Sequence, residues 1–285
     1  MIKIVSGNNI PIEEAANFIA MLNRRKEYHI GYCGIDAQEI KESMAQDITV
    51  MAGAVEKDSL VGFLGADISE GTVEVWGPFV NPDNDFHIAS AMWDFLLESI
   101  PLGTKTYYLF PNVENQLVIR FAKELGFKKG TDQCILHYSR AQSMDLPNHN
   151  LKQMSEMEYK EFIILHKHVF PDTYYNGQDI IERISDEHQV FVIKSRGNLA
   201  GYVYVEVDSD YGEGSIEFIA VDKAYRGKGY GKRLLEYAVK WLFDFKTVNE
   251  ITLCVAIENR GALELYRSIG FAIEHKLHTF EKLCL

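Results

Sequence analysis

A glycine-rich, basic turn between an apolar strand and an amphipathic helix is the segment best suited to carry chemistry. Residues 219–231 read Ile-Ala-Val-Asp-Lys-Ala-Tyr-Arg-Gly-Lys-Gly-Tyr-Gly. Glycines allow a ligand to approach the backbone closely, and the first turn of a helix offers unpaired N–H groups at the positive end of its dipole. The segment therefore predicts a binding site for the phosphates of a nucleotide-containing cofactor. The alternative is a solvated basic turn without a ligand.

The spacing of the glycines excludes two common phosphate-binding motifs. A Walker loop would need glycine in place of Arg226 and serine or threonine in place of Arg233. A dinucleotide-binding fingerprint would need its third glycine at Lys232 or, in the other frame, at Leu234. What remains is an Arg-x-x-Gly-x-Gly pattern. It resembles the turn that holds the coenzyme A pyrophosphate in the GNAT family of acetyl-CoA-dependent N-acyltransferases.

A second segment strengthens this resemblance. Residues 251–271 contain a β-branched strand, an apolar stripe at helical spacing and a closing Gly-Phe. They resemble the strand and helix that follow the cofactor turn in the GNAT family, with Asn259 and Tyr266 at its two functional positions. Both motifs occur in the family's order and separation. The expected fold is therefore mixed α/β and GNAT-like.

The resemblance implies where the cosubstrate would bind. The backbone of the strand at Ile219, Ala220 and Val221 would hydrogen-bond the pantetheine arm of acetyl-CoA. The turn and the start of the helix would hold the pyrophosphate through Arg226, Gly227, Lys228, Gly229, Tyr230, Gly231 and Lys232. Solvated surface roles remain open for Lys228 and Lys232, and Asn259 either contacts the cofactor or caps its helix.

Amide formation from a thioester requires a neutral amine and a protonated leaving thiolate, so it needs a base and an acid. By the resemblance, Tyr266 would donate its phenolic proton to the coenzyme A sulfur; the alternative is a core tyrosine with its hydroxyl at the rim. Glu217 lies two residues before Ile219, where family members often carry the base, and partial burial would raise its pKa. A solvent-facing strand carboxylate is the alternative for Glu217. Glu206 and Glu213 are weaker candidates for the base.

Composition agrees with a globular enzyme. The chain has 285 residues, of which 47% are hydrophobic and 25% charged, enough for one large or two ordinary domains. No apolar run reaches the roughly 18 residues of a membrane span, and the N-terminus lacks a signal-peptide layout, so we expect no membrane partner and a cytoplasmic location. The net charge of −12 argues against a nucleic-acid partner, whose phosphates require clustered Lys and Arg.

No metal site is predicted from the residues that could bind one. Cys33, Cys134, Cys254 and Cys284 are scattered without a C-x-x-C pair, which indicates reduced thiols rather than a zinc site or a disulfide framework. The nine histidines show no ligand spacing either. We therefore expect the reaction to proceed without a metal.

The same plan occurs twice along the chain. Residues 114–127 (ENQLVIRFAKELGF) parallel residues 258–271 (ENRGALELYRSIGF), with Glu, Asn, Gly and Phe at matching places. Upstream, a strand-like run at 72–80 and a helix at 86–99 match the strand before the cofactor turn and the helix after it. That second helix is predicted over 230–243, with Leu234, Leu235, Ala238 and Leu242 buried against the sheet, and a strand is predicted over 250–256. The repetition indicates two tandem GNAT-like domains.

We expect each domain to have a central mixed, twisted sheet flanked by helices. The predicted division is residues 1–140, a linker at 141–150, and residues 151–285. The closing strands, near 271–275 and 278–284, are assigned to the second domain. That domain would hold the catalytic site.

The first copy lacks the residues of the site. Aligning the strand ends matches Arg226 with Asp85, Gly229 with Ile88, Gly231 with Ser90, Glu217 with Trp76 and Tyr266 with Ala122. An anion would then meet a carboxylate and Cβ-bearing residues in place of an open cationic turn. We expect the first domain neither to bind acetyl-CoA in this turn nor to catalyse transfer, but to support the structure or form part of the acceptor cleft.

The predicted function is an N-acetyltransferase that takes acetyl-CoA as cosubstrate and acetylates a primary amine of a small molecule or a peptide. Two alternatives stay open: a noncatalytic acyl-CoA-binding sensor, and a transferase that uses a different acyl donor. The loop at 168–179, HVFPDTYYNGQD, is expected to shape the acceptor pocket. The sequence does not specify an oligomeric state.

Overall fold

The computed structural model describes residues 1–46, 48–69, 71–81, 86–101, 103–142, 146–171 and 173–283. Its internal contacts divide the chain into two compact units, Met1–Gln133 with His275–Leu285, and Cys134–Glu274. Each unit contains a seven-stranded mixed sheet, so the mixed α/β fold with two sheets that the sequence predicts is confirmed. No helix in the described ranges is long and apolar enough to cross a membrane.

The first unit is built on a sheet with the order β1-β2-β3-β4-β5-β14-β6. Its strands are β1 (Lys3–Ser6), β2 (Ile48–Glu56), β3 (Ser59–Ser69), β4 (Thr72–Val80), β5 (Thr106–Leu109), β6 (Lys128–Lys129) and β14 (Phe280–Leu283). Its helices are α1 (Ile12–Asn23), α2 (Ala37–Gln46), α3 (Phe86–Leu97) and α4 (Gln116–Glu124). Trp93 of α3 and Phe121 of α4 are fully buried and meet edge to face, with ring centroids 5.7 Å apart. Such aromatic pairs add to the stabilisation that burial provides.

The second unit has the strand order β13-β7-β12-β11-β10-β9-β8. Its strands are β7 (Gln133–Ser139), β8 (Lys152–Gln153), β9 (His188–Ser195), β10 (Asn198–Asp208), β11 (Glu213–Val221), β12 (Glu250–Ala256) and β13 (Ala272–Leu277). Its helices are α5 (Tyr159–Val169), α6 (Gly177–Arg183), α7 (Tyr230–Asp244) and α8 (Arg260–Arg267). Two separate apolar clusters, one containing residues of α7 and α8 and the other residues of α5 and α6, cover its two faces.

The final strand of each sequence repeat lies in the sheet of the other repeat. β14, which the sequence analysis assigns to the second domain, lies between β5 and β6 in the first sheet. β7 lies between β12 and β13 in the second sheet. The compact units therefore do not share the boundaries predicted at residues 140 and 150. The apolar pattern of a strand does not determine which strand it pairs with. Because the two repeats are similar, each sheet has an equivalent position for the strand.

Helix α7 fixes the position of the glycine turn. Its apolar residues at helical spacing, Leu234, Leu235, Ala238 and Leu242, are fully buried, as the sequence predicts. Each buried leucine contributes about 1.5–3 kcal/mol of stabilisation relative to an exposed one. Because this face packs on the sheet, the N-terminus of α7 is held at the end of β11.

Candidate functional site

The turn between β11 and α7 is ordered by contacts within the chain. The Asp222 side chain accepts a hydrogen bond from the Ala224 N–H at 2.8 Å and begins a short 3-10 turn. Arg226 Nε then donates to the Val221 carbonyl at 3.0 Å. These bonds hold the residues after the strand in a compact turn, so that the following glycines reach the helix start in one conformation.

Gly227 and Gly229 form the floor of an open space at the helix start. Their φ angles are +75° and +76°, in the left-handed region that favours glycine. A Cβ at either position would have no heavy atom within 4 Å. The space beside both residues is therefore available to a ligand.

The first N–H groups of α7 have no cap from a side chain. Gly229 is the N-cap residue, and the Arg233 N–H makes the first bond of the helix, to the Gly229 carbonyl at 3.1 Å. The N–H groups of Tyr230, Gly231 and Lys232 precede that bond and have no partner within the helix. Unpaired N–H groups at the positive end of a helix dipole are suited to bind a phosphate.

The basic side chains of the turn differ in what they contact. Lys228 Nζ lies 5.1 Å from the centre of the Tyr225 ring and 3.4 Å from the Ala224 carbonyl. Lys232 Nζ lies 3.9 Å from Glu236 Oε1 on the next turn of α7. Both lysines extend from the surface, so they are free to turn toward an anion at low cost.

The strand before the turn has an unpaired edge. β11 pairs with β12 in parallel at three positions, the last of which joins Ser215 to Thr252. Past Ser215, the described register of β11 continues only with β10. Apart from the Val221 carbonyl, which accepts from Arg226 Nε, the backbone edge of Ile219–Val221 is therefore open to a ligand between the two separating strands. This edge leads from the glycine turn toward Glu217.

Glu217 occupies a β-bulge. In the pairing of β11 with β10, Tyr204 faces Phe218 and Val205 faces Ile216, which leaves Glu217 as the extra residue. The bulge reverses the faces of the strand: Ile216 belongs to the cluster on the α7 side, whereas Phe218 belongs to the one on the α5 side. Bulges commonly aim a side chain next to an active site.

The Glu217 carboxylate is half-buried and hydrogen-bonded. Burial raises its pKa above the ordinary value for glutamate, and the Glu206 carboxylate raises it further. Hydrogen bonds from the Ser215 and Tyr174 hydroxyls lower the pKa, as does the charge of Arg183. A carboxylate whose pKa is moved toward neutrality is suited to act as a general base.

The neighbouring carboxylate of Glu206, a weaker candidate for the base, is already engaged. Arg183 Nη2 lies 3.1 Å from Glu206 Oε1, and the Tyr204 hydroxyl donates to the same oxygen at 2.5 Å. Because these partners occupy the Glu206 carboxylate, it has less room for hydrogen bonds to a substrate amine. Glu217 is the better placed of the two.

A cavity of about 320 Å³ is lined by Ser215 and Glu206, two residues that interact with the Glu217 carboxylate, although Glu217 itself is not part of the lining. Asp208 and Glu213 add two carboxylates to the lining. Burial raises the pKa of Glu213, and the charges of nearby carboxylates, including that of Asp208, raise it further. Arg183, which is ion-paired with Glu206, also belongs to the lining, so the carboxylates of Asp208 and Glu213 are the ones that Arg183 does not pair with.

Tyr266 lies on α8 and interacts with Cys254 of β12, the strand that separates from β11. Its side chain is 5% exposed, and burial raises its pKa, with the Cys254 thiol of β12 contributing. The last paired residues are Ser215 and Thr252, so Glu217 and Cys254 lie two residues beyond the separation on their respective strands. The two candidate catalytic residues are thus associated with the two strands that border the gap.

Asn259 is the N-cap of α8, one of the two roles that the sequence left open. Its side chain accepts a hydrogen bond from the Ala262 N–H at 3.2 Å. The matching Asn115 caps α4 in the same way, through the Val118 N–H at 3.1 Å. Capping occupies only the side-chain oxygen, so the Asn259 amide nitrogen can still donate to a ligand.

The corresponding positions of the first unit are filled by apolar side chains. Trp76 and Ala122, which match Glu217 and Tyr266, are buried in its core, as is Ile88 of α3. Asp85, predicted to stand in place of Arg226, lies outside the described residues. The described residues therefore lack both a carboxylate and a phenol at these two matched positions.

In the first unit, a backbone segment fills the gap where β4 and β5 separate. β4 and β5 pair in parallel over three residues, as β11 and β12 do. Beyond them, the Gly31 N–H donates to the Phe110 carbonyl at 2.8 Å and the Asn112 N–H donates to the His29 carbonyl at 2.9 Å. The Pro111 carbonyl accepts from His278 on the other edge, so residues 29–31 occupy the edge that faces β4. We name residues 29–31 the gap segment.

The gap segment belongs to the connection between α1 and α2. In the second unit the equivalent connection, between α5 and α6, instead carries Tyr174, whose hydroxyl donates to Glu217. The sequence predicts that this loop shapes the acceptor pocket, but it does not identify Tyr174, Ser215 or Arg183 as partners of the Glu217 carboxylate. The Tyr- and Gly-bearing composition of residues 168–179 is the only signal that pointed there.

No group of three or more potential metal ligands lies together within the described residues. The second unit combines an open, uncapped helix start, an unpaired strand edge and a half-buried carboxylate. Together they define a tandem α/β protein in which a helix start suited to bind an anion lies at the end of a split sheet.

Comparison with known proteins agrees with this class. Residues 151–271 match the profile of the Acetyltransferase (GNAT) family. The N-alpha-acetyltransferase RimI of Mycobacterium tuberculosis is 37% identical over 94 residues, 31% of this chain and 55% of that protein. The spermidine N(1)-acetyltransferase of Vibrio cholerae is 31% identical over 111 residues, 36% of this chain and 64% of that protein. The chain thus spans less than two thirds of either relative.

Two solved structures share the fold over nearly the whole chain. A GCN5-related N-acetyltransferase from Sphaerobacter thermophilus has a TM-score of 0.75 at 15% identity, covering 99% of this chain and 95% of that one. A tandem GNAT protein from the clavulanic acid biosynthesis pathway has a TM-score of 0.70 at 12% identity, covering 99% and 98%. Residues 151–271 thus match the GNAT family, and the chain as a whole has the fold of a tandem GNAT protein.

Proposed function

We propose that the protein transfers an acetyl group from acetyl-CoA to a primary amine of a small molecule or a peptide. The observation that carries this proposal is the uncapped start of α7, where open space at Gly227 and Gly229 adjoins an unpaired strand edge. That edge runs back to the half-buried carboxylate of Glu217, two of whose partners line a cavity. The proposed phosphate site at the start of α7, the edge of Ile219–Val221 that would bind the pantetheine arm, and the candidate base Glu217 would thus follow one another along β11.

The residues present fit acetyl-CoA as substrate. The N–H groups of Tyr230–Lys232 and the side chain of Arg226 would hold the pyrophosphate, with Lys228 and Lys232 adding positive charge. The open backbone of Ile219–Val221 would hydrogen-bond the pantetheine arm, and an N–H of this strand would stabilise the developing oxyanion. The Asn259 amide nitrogen is free to contact the same substrate.

The chain's own groups would move the protons. Glu217, directly or through a water molecule, would accept a proton from the ammonium group of the acceptor, because only the neutral amine attacks a thioester. Tyr266 would donate its phenolic proton to the departing sulfur. Burial favours the protonated form of Tyr266, which suits a donor.

The acceptor is proposed to carry positive charge near the reacting amine. Glu206, Asp208 and Glu213 line the cavity, and a cation there would relieve the repulsion that raises the pKa of Glu213. The two relatives named above are an N-alpha-acetyltransferase and a spermidine N(1)-acetyltransferase, names that describe transfer of acetyl groups to amines. Their chemistry supports an amine acceptor here.

Two measurements on the purified chain test the proposal. Calorimetry with coenzyme A and acetyl-CoA is expected to detect binding of one molecule per chain. Release of free thiol is then measured with acetyl-CoA and a panel of primary amines of differing charge, and cationic amines are expected to be the faster substrates. Binding without thiol release by any amine would favour a noncatalytic acyl-CoA sensor, and release only with longer acyl-CoA donors would favour a different donor.

A further inference from the structure

Tyr174 connects the loop before α6 to the candidate base. Its hydroxyl donates a hydrogen bond to Glu217 Oε2. Its ring lies 5.1 Å from the Phe218 ring and 4.8 Å from the Tyr175 ring, measured between centroids. The side chain is 65% exposed overall, yet its polar end reaches a half-buried carboxylate. It therefore covers Glu217 from the solvent side.

The backbone that follows Tyr174 is held by two contacts. His166 of α5 contacts the Tyr175 carbonyl through Nε2 at 2.8 Å, and its other ring nitrogen contacts the Tyr202 hydroxyl at 2.5 Å. Asn176 caps α6 in a capping box with Asp179. Since the residues on its C-terminal side are fixed in this way, Tyr174 is presented to the carboxylate by a rigid segment.

Four groups from four elements face the Glu217 carboxylate. Ser215 of β11 and Tyr174 of the loop donate hydrogen bonds, Glu206 of β10 adds a like charge, and Arg183 of α6 adds an opposite charge. Arg183 and Glu206 are ion-paired, so their charges largely cancel. The two hydroxyl donors are left as the groups that offset burial. A carboxylate has about four lone-pair sites, so two donors leave room for a substrate N–H.

We propose that Tyr174 is a positioning residue for Glu217, fixing the orientation of the carboxylate and keeping it ionised while the acceptor amine gives up its proton. This inference rests on the proposed function of Glu217 as the base. Tyr174 does not exchange a proton itself. It acts through Glu217 by stabilising the charged carboxylate, and it limits access of bulk water to one side of the carboxylate.

The test compares Tyr174→Phe with Tyr204→Phe. The second variant also removes a bond from a phenol to a carboxylate on the same sheet, but the carboxylate is that of Glu206. In a plot of kcat/KM against pH, the acid limb reports the pKa of the catalytic base in the enzyme without substrate. Tyr174→Phe is expected to move this limb upward by about one pH unit, with the rate recovering at higher pH. Tyr204→Phe is expected to leave the limb in place.

A rate that falls equally at every pH would show that Tyr174 only packs against Phe218, and would overturn the inference. The same conclusion would follow if both variants moved the limb alike. A second readout does not depend on activity: the 13C chemical shift of the Glu217 carboxyl carbon, assigned with Glu217→Gln, is titrated in the wild-type and Tyr174→Phe proteins. An upward shift of the Glu217 pKa in the variant is expected.

This titration separates the two possible failures. If no amine is acetylated but the Glu217 pKa rises in Tyr174→Phe, the proposed function fails while the control of Glu217 by Tyr174 stands. If transfer occurs and the Glu217 pKa is the same in both proteins, the inference about Tyr174 fails while the proposed function stands. If Glu217→Gln transfers acetyl at the wild-type rate, Glu217 is not the base and Tyr174 has no base to position.

Discussion

Gly229 matters to the proposed anion site because it has no side chain. Its φ of +76° suits glycine, and the space where a Cβ would stand is empty to at least 4 Å. The carbonyl of the same residue accepts the first hydrogen bond of α7. One residue therefore sets the turn conformation, leaves the approach to the helix start open and begins the helix.

Gly229→Val is expected to weaken coenzyme A binding by about tenfold or more, which corresponds to at least ~1.4 kcal/mol. The valine would be strained at this φ and would fill the approach to the N–H groups. Calorimetry measures the loss. The matched control is Gly261→Ala in the first turn of α8, where a Cβ also meets no atom within 4 Å but φ is not positive. Equal affinities in all three proteins would contradict a phosphate site at Gly229.

Tyr266→Phe is expected to lower kcat by about 10²-fold, the size of a typical general-acid contribution, with coenzyme A affinity nearly unchanged. The ring stays packed against Phe271, so folding should be preserved. Stopped assays of thiol release and calorimetry measure the two quantities. Tyr237→Phe, which changes a tyrosine of α7 packed on Phe191, is the control and should keep the wild-type kcat. An unaltered kcat in Tyr266→Phe would remove Tyr266 from the mechanism.

At the scale of elements, the glycine-turn helix and its flanking strand follow closely from local pattern. The predicted helix over 230–243 and strand over 250–256 match α7 and β12 within one residue at each end. Their apolar periodicity is long and is bounded by turn residues, which is the case in which sequence patterns work best. The bulge at Glu217 gives no such signal, because buried and half-buried residues still alternate along β11 through it.

Contacts between residues distant in sequence could not be predicted from the sequence either. The gap segment at 29–31 pairs with residues 110–112, and the Tyr174 hydroxyl pairs with Glu217. Neither contact follows from the residues near it, since a loop's local composition does not name its partner. The difference in these two loops explains why the site is open in the second unit and filled in the first.

Asn259→Ala is expected to loosen α8 by removing its cap, at a cost of about 1 kcal/mol. Hydrogen exchange of the amides of Leu263–Tyr266 should accelerate about fivefold, as that free energy implies. Asn115→Ala is the matched change in α4 and should cost more, because Asn115 is buried and also donates to the His29 carbonyl at 3.4 Å. Asn259→Asp, which keeps a capping oxygen, should retain slow exchange. Fast exchange in this variant would argue against capping.

At the scale of the whole molecule, the last strand of each repeat, β7 or β14, stabilises the sheet of the other repeat. Phe280 of β14 is 3% exposed and belongs to the core of the first unit, although it follows the second repeat in sequence. The amides of β14 pair with both β5 and β6. Residues near the C-terminus thus complete a sheet that begins at residue 3.

Phe280→Ala is expected to destabilise the first unit by about 3–5 kcal/mol, the range for truncating a buried phenylalanine. Hydrogen exchange should accelerate in β3–β5 while β9–β11 stay protected. Leu283→Ala on the same strand is the control, since Leu283 is 62% exposed and should change little. Faster exchange in β9–β11 than in β3–β5 would mean that β14 supports the other sheet.

The exchange of β7 and β14 between the two sheets resembles the strand exchange of a domain-swapped dimer. If each repeat were a separate polypeptide, its last strand would have to enter the sheet of a second molecule, which is how domain-swapped dimers form. The single chain has the connectivity of such a swapped homodimer whose two subunits have been joined end to end. Expressing either repeat alone, cut at the midpoint of the sequence, would leave one sheet without a strand and one strand without a sheet.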